Sequence, residues 1–404
     1  MEKTILNWSD INSDLLTEIA DRIKCLRDFI IFGAVCKSWR SVATPEIFNK
    51  STKVPWLLLD QDKYYGHSPR KFLNLSKDVI YTINLGTPRK VRLSITDWKF
   101  LLVSFIKENK YFMCSKGWYL IVENQTQLSL LNPFSLSRID LPHPFPFSKD
   151  YGINEVIQPV IMNFALSSSP NSSSDFTIMI IYRINPTRTA ELAFWKNGDR
   201  KWTDIDLIFS TYFVDMTYHN GQYYAAHPSA QHMGFPNRYV VHEIDIRNSA
   251  SVSIRTKSFT ISSRKQFRQI PFWIVGSSRV LMMVALSSEL YWECDPCYSN
   301  EPINYQQTFI VEEVDFENGE SKEMSNFGDE ALFLGFKSSY FADVSKESRF
   351  KPNHIYFADN FKKSFWWHKG GVGVYSMIDG SSTRLFSESD SGYGCSSQWI
   401  EPRP

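Results

Sequence analysis

Long apolar runs, an excess of charge of one sign and dense cysteine are all missing from this chain of 404 residues. The longest apolar run, Val280 to Leu286, is far shorter than the roughly 20 residues that a membrane-spanning helix needs. Lys and Arg number 44 against 43 Asp and Glu, a balance that does not favour nucleic acid or a polybasic membrane anchor as partner. We therefore expect no nucleic-acid partner and no membrane partner.

The first ten residues lack the apolar segment of a secretory signal, and six cysteines in a chain this long do not make a disulfide framework. These two features favour a reducing compartment. We expect the protein to work in the cytoplasm, the nucleus or both.

Signatures of chemistry are also scarce. The chain has no H-E-x-x-H and no G-x-S-x-G, and its eight histidines are scattered: His219 and His242 fall in expected strands, His227 and His232 in an expected loop. Cys294 and Cys297 have the spacing of half a zinc site, but no second pair of ligands follows, so a turn is the preferred interpretation. We expect no catalytic residue, no cofactor and no metal site.

What the chain does contain begins with a helical pattern near its N-terminus. An apolar stripe at helical spacing consists of Leu15, Leu16, Ile19, Ala20 and Ile23. Asn12 or Ser13 can cap this helix. Leu26, Phe29 and Ile30 predict a second helix, while Val35, Trp39 and Val42 share a face of a third. Gly33 is expected at the break between these two, because glycine tolerates turn geometry.

This helical part is very apolar for its size. A module of roughly 40 residues buries too little surface to hide all its apolar side chains. The surplus must meet either the rest of the chain or a partner, and exposed apolar patches favour the partner.

From Val54 onward the pattern changes to short alternating strands separated by polar turns, at intervals of roughly 8–12 residues. Asn220-Gly221, between two such strands, is a strong hairpin signal. Strands spread evenly over this length favour a closed ring of about six four-stranded blades; a pair of β-sandwiches is the alternative. The predicted fold is mainly β, with three N-terminal helices followed by a β-propeller. Phe365-Trp366-Trp367-His368 is the candidate for an exposed aromatic patch.

The run Val35-Cys36-Lys37-Ser38-Trp39-Arg40, with D-L-L-T-E-I-A about twenty positions upstream, resembles an F-box. Landmarks such as Trp202-Thr203-Asp204-Ile205-Asp206, His354 to Asp359 and the terminal Trp399-Ile400-Glu401-Pro402 resemble a plant F-box family with a kelch-like propeller. The resemblance implies an F-box at 6–50 and a propeller at 54–404.

That family supplies the substrate-recognition subunits of cullin-based (SCF-type) ubiquitin ligases, without catalysis of their own. The resemblance implies that the F-box docks on a Skp-type adaptor, and through it on the cullin, while the propeller binds a protein substrate not identifiable from the sequence. The implied adaptor-binding residues are Trp8, Ile11, Leu15, Leu16, Ile19, Val35, Cys36 and Trp39. Some of them should form the helical core instead, with Ile19 and Trp39 the first candidates.

The chain departs from the family pattern at two places. Ile11-Asn12 stands where the family has Leu-Pro, and Gly33 stands where it often has Arg. Without the proline the entry segment is less rigid. An F-box protein with weakened adaptor binding is therefore one alternative. A propeller enzyme or small-molecule sensor with a helical cap is the alternative from a different class, because a propeller fold by itself does not exclude chemistry.

Overall fold

The computed structural model has a group of short helices at the N-terminus and a ring of β-sheets in the remainder of the chain. It describes residues 8–23, 26–44, 47–48, 55–60, 70–74, 79–83, 113–123, 127–142, 160–170, 175–183, 190–206, 213–229, 238–247, 252–261, 272–277, 279–288, 307–335, 338–345, 348–358, 371–387 and 394–402. The expectations for Cys294, Cys297, His232 and the aromatic run at 365–368 fall outside these residues.

The described residues of the helical part include a 3-10 turn at Trp8–Asp10 and three helices, α1 (Ser13–Asp21), α2 (Leu26–Ala34) and α3 (Lys37–Val42), and residues 47–48 are helical as well. Asn12 caps α1, since its side-chain oxygen accepts a hydrogen bond of 2.9 Å from the backbone N–H of Asp14. The buried apolar residues of this part are Leu16, Ala20, Phe29, Phe32, Val42 and Phe48.

Gly33 does not mark the break between α2 and α3. It lies in the last turn of α2, and the break comes after Ala34. A Cβ atom at Gly33 would approach the Cβ of Ala43 to 3.0 Å. The glycine therefore permits the close approach of α2 to the end of α3, which the turn-based expectation missed.

Six separate sheets follow, each a blade of the propeller. Blade 1 contains β1 (Trp56–Asp60), β2 (Arg70–Asn74) and β3 (Val79–Ile83). Blade 2 contains β4 (Met113–Ser115), β5 (Trp118–Glu123), β6 (Gln127–Leu131) and β7 (Arg138–Leu141). Blade 3 contains β8 (Val160–Leu166), β9 (Thr177–Arg183), β10 (Glu191–Lys196) and β11 (Thr203–Ile205).

Blades 4 and 5 have four consecutive strands like blades 2 and 3, whereas blade 6 has five, of which the first and the third in chain order are parallel. Blade 4 contains β12 (Asp215–His219), β13 (Gln222–Pro228), β14 (Arg238–Asp245) and β15 (Ser253–Thr260). Blade 5 contains β16 (Phe272–Gly276), β17 (Leu281–Ser288), β18 (Gln307–Asp315) and β19 (Glu320–Glu323). Blade 6 contains β20 (Glu330–Leu334), β21 (Tyr340–Asp343), β22 (His354–Ala358), β23 (Gly371–Ser376) and β24 (Ser382–Ser387).

The C-terminal strand β25 (Gly394–Ile400) closes the ring. It is the fourth strand of blade 1 and runs antiparallel to β1, with Trp399 opposite Leu57. Strands from both ends of the propeller thus share one blade, and closure protects the sheet edges at the joint. Trp399 Nε1 also donates a hydrogen bond of 3.0 Å to the carbonyl of Leu334, which joins β25 to blade 6.

Among the described residues of the propeller, the buried apolar side chains form six clusters, one between each pair of adjacent blades. Strand β17 shows how the sequence produces this arrangement. Its residues packed with blade 4 are Leu281, Met283 and Ala285, and those packed with blade 6 are Met282, Val284 and Leu286. Because successive side chains of a strand point to opposite faces, a strand covered on both sides has a continuous apolar sequence.

Polar side chains connect the innermost strands around the propeller axis. Ser115 Oγ accepts a hydrogen bond from the backbone N–H of Leu166 at 3.0 Å, which joins blade 2 to blade 3. Asp215 accepts hydrogen bonds from Asn163 Nδ2 at 2.7 Å and from the backbone N–H of Ile274 at 3.0 Å. The carboxylate of blade 4 therefore has partners in both neighbouring blades.

The helices meet the propeller at Phe134, in the turn between β6 and β7. Its ring packs against the helical core, and its centroid lies 5.0 Å from that of Trp56 in blade 1. Asn132 fixes this turn, since its side-chain oxygen accepts hydrogen bonds from the backbone N–H groups of Phe134 and Ser135. One aromatic side chain thus belongs to both parts of the molecule.

The six sheets confirm the predicted propeller of about six blades, and the sandwich alternative is wrong. The hairpin predicted at Asn220-Gly221 joins β12 to β13, with positive φ values of 46° and 87° at these two residues. Within the described ranges, no helix combines the length and the apolar character that crossing a membrane requires.

Candidate functional site

The residues expected to bind an adaptor divide into three groups by exposure. Four are exposed, namely Trp8 (69%), Leu15 (55%), Ile19 (42%) and Val35 (55%). Ile11, Cys36 and Trp39 are half-buried. Leu16 is only 1% exposed and lies in the helical core. The structure thus leaves most of the expected residues accessible and removes one from the surface.

Neighbouring positions on α1 explain the different placement of Leu15 and Leu16. Consecutive residues of a helix are about 100° apart around its axis, so one leucine can face the core while the other faces solvent. Leu16 and Ala20 make the buried row of α1, and Leu15 and Ile19 make an exposed row beside it. The single apolar stripe expected from the sequence is therefore two rows with different roles.

Trp39 is held in place by both ends of the helical part. Its ring packs on Phe32 with centroids 4.6 Å apart, and its Nε1 donates a hydrogen bond of 3.1 Å to the carbonyl of Trp8. The Trp8 ring lies edge-on to it, with centroids 6.5 Å apart. The expectation of a core role suits the half-buried Trp39 but not Ile19, which points outward.

The sequence expectation omitted two exposed residues of α2, Ile30 (36%) and Ile31 (52%). Ile31 and Val35 are four positions apart, the same spacing as Leu15 and Ile19. This spacing could have predicted that Ile31 belongs with the adaptor-binding residues. We call Trp8, Leu15, Ile19, Ile30, Ile31 and Val35 the helical apolar surface. All six residues lie between positions 8 and 35, and an accumulation of exposed apolar side chains on one small module favours a partner site.

The entry segment has the backbone geometry that a proline would impose. Asn12 has a φ of −56°, within the range that the pyrrolidine ring fixes, and its side chain caps α1. Ile11 packs partly against the helical core. Asn12 therefore adopts the folded backbone geometry that a proline would have. The missing proline instead gives the unfolded chain more conformational entropy, which lowers stability.

A second candidate site lies at the propeller axis. The innermost parts of all six blades enclose a cavity of about 100 Å³. Its lining includes the charged residues Lys116, Asp215 and Glu401, together with several serine, threonine and tyrosine residues. No histidine is among the lining residues that the structure describes. The cavity is polar, unlike the tightly packed interfaces between the blades.

Two histidines that the sequence placed apart meet on blade 4. His227 lies on β13 rather than in a loop, and its Nε2 is 3.0 Å from Nε2 of His242 on β14. His242 Nδ1 is 2.9 Å from the hydroxyl of Thr256, and burial lowers the pKa of His242 to about 4, with His227 a second cause. Their strand register, Ala226 opposite Val241, brings them together, which no local pattern could reveal.

This pair does not amount to a metal centre. Across the part of the chain that the structure describes, no group of three or more His, Cys, Asp or Glu side chains converges as metal ligands would. The short distance between the two Nε2 atoms is instead that of a hydrogen bond, in which one imidazole donates and the other accepts.

Comparisons with known proteins identify a family and several similar plant chains. Residues 69–376 match the family model described as KIB1-4 beta-propeller. Along nearly its full length, the chain resembles an Arabidopsis thaliana chain named as a "Putative F-box protein", with 22% identity over 98% of this chain and 97% of the relative. A second chain of the same plant, named as an F-box protein, is 21% identical over 87% of this chain and 86% of its own length.

Solved structures resemble the chain only distantly. One is an oligogalacturonate lyase from Vibrio parahaemolyticus, with 8% identity, a TM-score of 0.39 and coverage of 82% of this chain and 80% of that chain. A similarity of this size carries no information about chemistry.

Proposed function

This chain belongs to the KIB1-4 beta-propeller family, and from that premise we propose that it is the substrate-recognition subunit of an SCF-type ubiquitin ligase. Relatives that share nearly its full length are named as F-box proteins, which supports a receptor-like role at the level of the family. In this proposal the helical apolar surface docks on a Skp-type adaptor, and the propeller presents a target protein.

The observation that carries the proposal is the exposure of the helical apolar surface. Leu15, Ile31 and Val35 are each more than half exposed on a module of three short helices. Burying an apolar side chain of this size contributes about 1.5–3 kcal/mol relative to leaving it in water. A partner that covers several of them gains enough for stable association.

The propeller does not remove this surface from solvent. Its described contact with the helical core is made by Phe134, whereas Leu15 and Val35 stay open. The alternative that the surplus apolar face packs on the rest of the chain therefore fails for these residues.

The proposed role requires no bond-making residue in this chain. Holding a target beside a ubiquitin-conjugating enzyme makes the transfer effectively intramolecular, which raises the local concentration of the reactants. Such a receptor works where the ligase assembles, so we propose the cytoplasm or the nucleus as its location. Imaging of a fluorescently tagged chain tests this location.

Co-purification with a Skp-type adaptor tests the docking. We expect the wild-type chain to retain the adaptor, and we expect both Leu15→Asp with Ile19→Asp and Ile31→Asp with Val35→Asp to lose it. Each change puts a charge into an apolar interface while leaving the helical core intact, and hot-spot losses of at least about 2 kcal/mol are typical. Leu16 is unsuitable for this purpose, because its substitution would unfold the module.

The matched control is Ile378→Asp with Leu385→Asp, which makes the same chemical change at exposed apolar residues of blade 6. This variant should bind the adaptor like the wild type. Adaptor binding that survives both helical double variants, in chains shown to be folded, would rule out the helical apolar surface as the docking site.

A further inference from the structure

A network of hydrogen bonds closes the turn between β6 and β7. The side-chain oxygen of Asn132, a fully buried residue, accepts from the backbone N–H groups of Phe134 at 2.9 Å and Ser135 at 3.1 Å. The backbone N–H of Asn132 donates to the carbonyl of Ser137 at 2.9 Å, and the hydroxyl of Ser135 donates to that of Ser137 at 3.0 Å. These bonds hold residues 132–137 in one shape.

The same turn contains a strained residue. Leu136 has a φ of 57°, in the left-handed region that a bulky side chain rarely adopts, and it is 55% exposed. With its side chain largely in solvent, Leu136 gains little from packing that would offset the strain. Residues in such conformations persist where their surroundings determine them, and they often accompany functional geometry. The strain preserves the shape of the turn, and the nearby side chain that this shape places is Phe134.

Phe134 lies where the helices and two blades meet. Its ring packs on the helical core and also on the apolar cluster between blades 1 and 2. The ring centroid is 5.0 Å from that of Trp56, with the two planes at 86°, and 6.2 Å from that of Phe72. Trp56 and Phe72 are both buried, so the propeller side of this contact is fixed. Aromatic pairs at these distances prefer defined angles, which makes the contact directional.

The covalent connection between the two parts does not by itself set their orientation. Phe48 is the last described residue of the helical part and Pro55 is the first of the propeller, with the six residues 49–54 between them. A peptide of six residues reaches about 20 Å when extended, enough for many relative orientations. Among the described residues that form the helical core or pack on it, Phe134 is the one from the propeller. Its side chain therefore selects one orientation among those that the connection permits.

Orientation matters for a receptor that brings two proteins together. In the proposed ligase, the helical apolar surface binds the adaptor and the propeller binds the target. The angle between the two parts then decides where the lysines of a bound polypeptide lie relative to the conjugating enzyme. Transfer between held partners is fast only when the reacting atoms are aligned, and a displacement of 1 Å can cost about 100-fold in rate.

We propose that Phe134 is a positioning residue of the ligase. It sets the angle between the adaptor-docking helices and the propeller, and it thereby selects which lysines receive ubiquitin. This role deepens the proposed receptor function and rests on it. The orienting contact itself needs no adaptor, so the two claims can be tested separately.

The orientation is measured first, on the full chain alone. Donor and acceptor fluorophores are attached through unnatural amino acids at Asp21, at the end of α1, and at Lys322 on β19, both of which are exposed. Single-molecule energy transfer in the wild type should give one narrow distribution. A flexible connection of six residues has a root-mean-square length of about 13 Å, so the distance distribution in Phe134→Ala should widen by a distance of this order.

Phe341→Ala is the matched control. Phe341 is also half-buried, but it packs in the cluster between blades 5 and 6, so its replacement should leave the distribution narrow. Phe134→Leu keeps part of the apolar contact and should give an intermediate width. Hydrogen–deuterium exchange of residues 13–42 and of β17 shows whether each variant is folded. If protection falls in Phe134→Ala, the milder Phe134→Leu carries the test.

The effect on transfer is measured in a ligase reconstituted from the full chain, a Skp-type adaptor, a cullin complex and the ubiquitin-activating and ubiquitin-conjugating enzymes. The lysines of the chain itself are the acceptors, so no target has to be known. Mass spectrometry should find ubiquitin on a few propeller lysines in the wild type and in Phe341→Ala. In Phe134→Ala, at unchanged adaptor affinity, the rate at the preferred lysine should fall by at least about tenfold and modification should spread to other lysines.

Three results would overturn the assignment. They are a broad distribution in the wild type, a narrow and unshifted one in folded Phe134→Ala or Phe134→Leu, and an unchanged pattern of modified lysines after the distribution has widened. Failure of the proposed function looks different, because a wild-type chain with a narrow distribution would then retain no adaptor. The ligase role of Phe134 would fall with it, while the orienting contact would stand. Leu15→Asp with Ile19→Asp should lose the adaptor and keep the narrow distribution.

Discussion

Leu15 and Leu16 are neighbours in the sequence, yet the structure predicts very different losses of stability when each is replaced by alanine. Leu16→Ala removes three carbon atoms from the helical core, where the side chain is 1% exposed. At about 0.8 kcal/mol per buried carbon the transfer cost is about 2.4 kcal/mol, and the cavity left behind raises it toward the observed range of about 2–5 kcal/mol. We expect a loss of about 3 kcal/mol. Leu15→Ala should change stability by less than about 0.5 kcal/mol.

For the helical part this loss is decisive. A unit of about 40 residues has a stability of about 2–6 kcal/mol when each residue contributes about 0.05–0.15 kcal/mol. Leu16→Ala therefore removes a large share of the free energy that keeps the three helices folded. The propeller has its own clusters and should stay intact, so the helices should open as a separate unit.

Hydrogen–deuterium exchange measured by mass spectrometry follows both parts in one experiment. In Leu16→Ala, protection of peptides from residues 13–42 should fall by about a hundredfold, which corresponds to about 3 kcal/mol. Peptides from β17 serve as an internal control and should exchange at the wild-type rate. Leu15→Ala should keep its protection and lose adaptor affinity. Equal protection in the two variants would refute the assignment of core and surface on α1.

Three further predictions concern the propeller. Gly373→Ala should lower the unfolding midpoint in urea, since its Cβ would lie 2.2 Å from Cζ of Phe357 and overpacking costs about 1–3 kcal/mol. Arg255→Ala should also destabilise the fold, by on the order of 1 kcal/mol, because it leaves the buried carboxylate of Glu243 without its cationic partner. The pKa of His242 is about 4 in the folded chain against 6.5 in the unfolded chain, so between these pH values the unfolded chain binds a proton that the folded chain does not. The free energy of unfolding should therefore rise from pH 4 to 6.5. His242→Gln should flatten this rise, as measured by urea titrations at several pH values.

Two of these predictions have a contrasting variant, and the third has a result that would contradict it. Gly198→Ala should cost less than Gly373→Ala, because no atom lies within 4 Å of its Cβ position, although its φ of 96° adds backbone strain. Glu317→Gln removes an exposed partner of Arg255 and should change stability little. If the free energy of unfolding of folded His242→Gln rises between pH 4 and 6.5 as steeply as that of the wild type, other groups cause the rise.

Much of the fold could be predicted because the relevant signals are local. The helical spacing in α1, the cap at Asn12 and the Asn220-Gly221 hairpin each depend on residues close together in the chain. Strands buried on both faces were harder to predict, as β8 and β9 show, because a continuous apolar run has no period of its own. The parallel pairing of β20 with β22 could not be predicted either, because it joins strands that are not consecutive in the chain and leaves no local pattern.

The candidate sites, too, were partly predictable from the sequence and partly set by the tertiary structure. The sequence by itself determined that a small apolar helical module precedes a long β region, since composition and spacing decide both. Only the tertiary structure decided which leucine of α1 faces solvent, that Gly33 serves a helix contact, and that His227 meets His242. It also brought Asn163, Asp215 and Glu401 to one axis from three blades. These contacts join residues that are not local neighbours, such as His227 and His242, 15 positions apart, and Asn163 and Asp215, 52 positions apart, so they exist only in the folded chain.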